Sequence, residues 1–114
     1  MKKSKEVRIN VLGTIYSVEI KKQEEMRKLA ESTNDEMFYY GLCDFTLKKL
    51  YLDESILKCE SNYKATFRHE IIHAFMYESG LYTQSTFAID ETCVDWFALQ
   101  SPKIFKEFSI LDIL

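Results

Sequence analysis

Between Asn62 and Ser79 the chain runs without a single Gly or Pro, and its apolar residues recur at helical spacing. Phe67, Ile71, Ala74 and Phe75 form a stripe, with Ile72 and Met76 at its edge. Ser61 or Asn62 can cap the start, and Gly80 stands where helices commonly end. This segment predicts a long helix. It also carries both histidines of the chain, His69 and His73, four positions apart with Glu70 directly after the first. Two histidines placed at random in a chain of this length stand four apart about 2% of the time. The coincidence of spacing, Glu and helix therefore marks the segment as a site.

The chemistry of that pattern is direct. Residues i and i+4 of a helix share one face, one turn apart. Two imidazoles so placed can reach one Zn²⁺ at about 2.0–2.1 Å. Glu70 can lean toward a metal-held water without binding the metal, and serve as general base and then acid. A catalytic zinc usually takes three protein ligands, so one more must come from elsewhere. Glu78 lies too far round the same helix. The HExxHxxGxxH pattern is excluded, because no third histidine exists. Glu91, 18 residues after His73 and near the start of a second predicted helix, is the best candidate. Asp95 is one turn beyond it and can orient a ligand histidine through its far nitrogen. The competing reading of these acids is a helix start, with Asp90 as cap and Glu91 in the first turn. Cys93, two positions from Glu91, points elsewhere on a helix and reads as core.

Before the long helix the pattern is strand-like. Val7 to Leu12 and Ile15 to Ile20 alternate apolar and polar residues, with Gly13-Thr14 as the turn. Lys22 to Ser32 reads as a helix with Met26, Leu29 and Ala30 on one face. Phe38 to Leu42 and Phe45 to Leu52 read as a second strand pair, and Ile56 to Cys59 is ambiguous. After Gly80, Leu81 to Ser85 is expected to be a loop. The second helix begins between Thr86 and Glu91 and stops at Ser101-Pro102, and Lys103 to Leu111 forms a last short helix. Strands first and helices later predict an α+β domain with a small antiparallel or mixed sheet.

Size and composition narrow the function classes. The 114 residues fit one domain, 46% of them hydrophobic. A net charge of -3 disfavours nucleic acid as a partner, although the first thirty residues are Lys-rich. No run approaches the roughly 20 apolar residues that span a bilayer, and no apolar stretch of signal length follows the basic start. A cytoplasmic location is expected. Cys43, Cys59 and Cys93 lack CxxC spacing and read as free thiols.

His69-Glu70-Ile71-Ile72-His73 followed by Glu91-Thr92-Cys93-Val94-Asp95 resembles the gluzincin metallopeptidases, in which HExxH is followed by ExxxD on a second helix. The block from Asp90 to Ala98 looks especially like the corresponding segment of ImmA/IrrE-type metallopeptidases, small cytoplasmic proteins of bacteria, phages and mobile elements. The resemblance covers about Phe67 to Ala98. It departs at Val94, where Ala is expected, and in lacking a third histidine to stabilise an oxyanion. Tyr77, Tyr82 and Tyr63 are candidates for that task. The resemblance implies a zincin-like domain over residues 1–114. It implies that zinc is held by His69, His73 and Glu91, that Glu70 is the catalytic base and that Asp95 orients a ligand. It further implies that Gly41-Leu42-Cys43-Asp44 is a sheet edge receiving an extended protein or peptide substrate. The alternative expectation is a catalytically silent zinc-binding domain that holds a partner through Tyr39-Tyr40 or Trp96-Phe97.

Overall fold

The computed structural model describes residues 7–32, 40–84 and 90–114. Among them a mixed four-stranded sheet and four α-helices form an α+β architecture. Strands β1 (Val7–Val11) and β2 (Thr14–Lys21) form an antiparallel hairpin. Its turn is Leu12-Gly13, one residue earlier than the sequence suggests, with φ of 53° and 93°. Two consecutive positive φ values match the right-handed twist of a two-residue hairpin, and Asn10 Oδ1 accepts the Gly13 N–H at 2.7 Å. Helix α1 (Gln23–Ser32) buries Met26 and Ala30 as expected.

Strand β4 (Lys49–Asp53) runs parallel to β2, and β3 (Gly41–Asp44) is antiparallel to β4, giving the order β1-β2-β4-β3. The predicted strand start at Phe38 lies outside the described residues. Phe45 to Lys48 is a turn rather than strand, because Asp44 Oδ1 accepts the N–H groups of Thr46 and Leu47, both at 2.9 Å. This short-range bonding competes with the ladder and delays β4 to Lys49. Ile56 falls in a 3-10 turn, Glu54–Lys58, capped by Asp53 through Ser55 N–H.

Helix α2 (Glu60–Glu78) starts earlier than expected: Cys59 is its cap residue, and no side chain caps it. It crosses the sheet face where Tyr16, Val18, Leu50 and Leu52 are buried, and packs Phe67, Ile71 and Ala74 there. Met76 and Ile72 turn the other way, toward Val94. The helix thus has two apolar sides, and Phe75, expected in the stripe, is exposed. At its far end Glu78 accepts bonds from Thr14, Tyr16 and Lys48, the last two at 2.7 and 2.8 Å, which anchor the helix to the sheet.

Two expectations fail after Gly80. Leu81–Gln84 is a short helix, α3, instead of loop. The final two helices are one: α4 runs unbroken from Glu91 to Ile110 with Pro102 inside it. Proline normally stops a helix because it leaves the carbonyl four residues back without an N–H. Here that carbonyl belongs to Ala98, and it accepts Arg68 Nε–H from α2 at 2.6 Å. A side chain outside the helix replaces the missing donor, so α4 continues and is clamped to α2. No helix among the described residues is long and apolar enough to cross a membrane.

Candidate metal centre

Helices α2 and α4 bring three of the predicted residues together. His69 and His73 stand one turn apart on α2, with Nε2 atoms 3.0 Å apart and rings inclined by 72°. Glu91, in the first turn of α4, reaches across. Its Oε2 is 3.0 Å from His69 Nε2 and 3.2 Å from His73 Nε2, while its Oε1 is 3.0 Å from His73 Nε2. Four ligands at about 2.0–2.1 Å in a tetrahedron stand about 3.3 Å from one another. The two nitrogens and the carboxylate oxygen therefore mark one face of such a polyhedron, slightly contracted. Two imidazoles and one carboxylate are a donor set suited to zinc. Such a triangle of donors can hold a divalent cation.

Asp95 stands one turn further along α4, where its Oδ1 accepts His69 Nδ1–H at 2.6 Å. That bond fixes the tautomer and leaves Nε2 for the shared centre. The helix start that competes with the ligand role is also present, because Asp90 accepts the Thr92 N–H at 2.9 Å. Capping falls to Asp90, which leaves Glu91 and Asp95 to face the histidines. The imidazoles are sunk and the carboxylates lie at the rim: His69 and His73 are 17% and 12% exposed, Glu91 60%.

The charges agree with a cation site. Burial works against a proton on His69, but Glu91, Glu70 and Asp95 outweigh it and hold the imidazolium pKa up at about 9. The histidines in turn hold Glu91 well below the usual carboxylate range, His69 most strongly. Metal binding at these nitrogens would require His69 to release that proton, so proton and metal compete for the same site.

Glu70 lies on the inner side of α2, almost wholly buried. Burial raises its carboxyl to about 7, partly opposed by His69 and His73. It lines a cavity of about 350 Å³ with His69, Asp95, Thr66, Tyr40 and Gly41. Gly41 is needed there for space: a Cβ would stand 2.8 Å from Glu70 Oε2 and 3.0 Å from Thr66 Cγ2. The close approach of edge strand β3 to the acid is a feature that reading the residues one by one misses. Its signals in the sequence are an isolated Gly inside a predicted strand and the resemblance, which makes Gly41 to Asp44 the sheet edge at the site.

Tyr77, Tyr82 and Tyr63 do not line this cavity. Tyr77 and Tyr82 pack on Phe45, with Tyr77 stacked at 4.2 Å, and Tyr63 packs against Phe67 and the core. Tyr40 is the phenol that lines it among the described residues. Cys93 is partly exposed rather than core, and it is not part of the cluster. Compared with protein-family models, curated proteins and solved structures, the chain matches none.

Proposed function

We propose that this chain is a zinc-dependent metallopeptidase with a zincin-like site, of the gluzincin kind and nearest in pattern to the ImmA/IrrE-type enzymes. The observation that carries the reading is the triangle of His69 Nε2, His73 Nε2 and Glu91 Oε2 with sides of 3.0–3.2 Å, beside a buried carboxyl at Glu70. A divalent ion held by His69, His73 and Glu91 would supply a Lewis acid and make a water easier to deprotonate near neutral pH. Glu70 would take the proton of the attacking water and return it to the leaving amine, as base and then acid. Asp95 keeps His69 in the ligating tautomer.

The substrate in this reading is a protein segment in extended form. Asp53 N–H donates to the Tyr40 carbonyl at 2.8 Å, so Tyr40, Leu42 and Asp44 bond inward to β4. By strand alternation, the N–H and C=O groups of Gly41 and Cys43 face the free edge, where a peptide can add as a further strand. Gly41 touches Glu70, which would bring that peptide past the acid. Three free cysteines support a reducing, cytoplasmic setting.

Glu70→Gln separates this proposal from a catalytically silent zinc-binding domain. The amide keeps the volume and removes the base, so zinc content and fold should persist while peptide hydrolysis is lost. Full biological activity in Glu70→Gln would leave the silent domain as the answer.

A further inference from the structure

On the other side of the α2–α4 seam is an apolar groove of about 510 Å³, lined chiefly by Ile71, Ile72, Phe75, Met76, Phe97 and Phe105. It shares no lining residue with the cavity at Glu70. Beside it, every residue from 105 to 114 is exposed, including Phe108, Leu111, Ile113 and Leu114. The last turns of α4 therefore extend past the body with apolar side chains and no layer over them. A helix end of this length draws little stability from itself and needs packing to persist.

We infer that this face is the two-fold interface between two copies of the chain, with the Phe108–Leu114 ridge of each copy seated in the Phe75–Phe105 groove of the other. Three observations select a second copy. Ridge and groove lie on the same chain, so one two-fold axis satisfies both at once. Charge selects no charged partner, since Lys103 and Lys106 are balanced by Glu107 and Asp112. An anionic lipid surface would therefore gain little from this segment. Area fits as well. Phe75, Phe97, Phe105 and Phe108 are 37–53% exposed, and Leu111, Ile113 and Leu114 66–81%. Together they expose on the order of 700 Å². Pairing two such faces can bury up to about 1,400 Å² from these side chains, inside the range of roughly 1,200–2,000 Å² of stable interfaces. Patches this large exceed what a soluble monomer usually leaves open.

Sedimentation velocity over about 1–100 µM tests this. The wild-type chain is expected at twice its 13.5 kDa mass. Phe105→Glu with Phe108→Glu should sediment as a monomer, with unchanged circular dichroism and zinc content. Leu111→Asp with Ile113→Asp, in the exposed capping turn of α4 where the backbone bonds to Glu107 and Phe108 are kept, gives the same readout away from the core. A wild-type monomer at 100 µM, or a dimer that survives both double substitutions, would overturn the proposal. So would a monomer that partitions onto phosphatidylcholine or phosphatidylserine vesicles, which would assign the ridge to lipid.

Discussion

The bond from Arg68 to Ala98 makes a quantitative prediction about how α4 is held. Arg68→Met keeps most of the aliphatic stem and removes the donor, leaving the Ala98 carbonyl without a partner because Pro102 has no N–H. A partly buried hydrogen bond to a charged group contributes about 1.5–3 kcal/mol. Equilibrium urea unfolding of Arg68→Met should therefore show a loss of about 2 kcal/mol. The same substitution in a Pro102→Ala background should cost less than about 1 kcal/mol, because residue 102 would then donate along the helix to Ala98. Pro102→Ala alone should be neutral or stabilising, since an interior proline costs about 3 kcal/mol relative to alanine. The coupling in this double-mutant cycle is expected to exceed about 1 kcal/mol. Equal costs of Arg68→Met in the two backgrounds would refute the claim that the side chain substitutes for the missing N–H.

Two further predictions rest on other contacts. Gly41→Ala should destabilise by about 1–3 kcal/mol in thermal or urea unfolding and lower hydrolysis more than zinc binding, because its Cβ meets Glu70 rather than a ligand. Glu78→Gln tests pH dependence. The bonds from Lys48 and Tyr16 hold the Glu78 carboxyl below its ordinary 4.5. A depressed carboxylate contributes stability above that value and loses it as pH falls further. The variant should therefore be less stable by about 1–2 kcal/mol at pH 7, with the gap to wild type closing below about pH 4.5 in acid titrations followed by circular dichroism. A constant gap down to pH 2 would remove Glu78 from the acid response.

The parts of the site that obey helix geometry were legible in the sequence. His69, His73, Glu91 and Asp95 lie at spacings that place each pair on one helix face, and the structure brings all four together. The α+β class and the alternation of Tyr16 and Val18 followed from period-two patterning. What escaped depends on partners distant in sequence. Nothing local to Pro102 announces that Arg68, 34 positions earlier, will satisfy Ala98. Gly41 reads as an ordinary strand residue until Glu70 is packed against it. The exposure of Phe75 and the burial of Met76 follow from α2 being covered on two sides, by the sheet and by α4, which a single apolar stripe does not predict.

Zinc titration of the purified chain beside Glu91→Ala tests the central claim most directly, read by metal content after gel filtration and by competition with a chelator of known affinity. The arrangement predicts one zinc per wild-type chain. In Glu91→Ala the affinity should fall by more than the 10–100-fold that loss of an orienting group such as Asp95 costs. Equal zinc content and affinity in the two proteins would mean that Glu91 is no ligand, and the three-membered centre would be wrong.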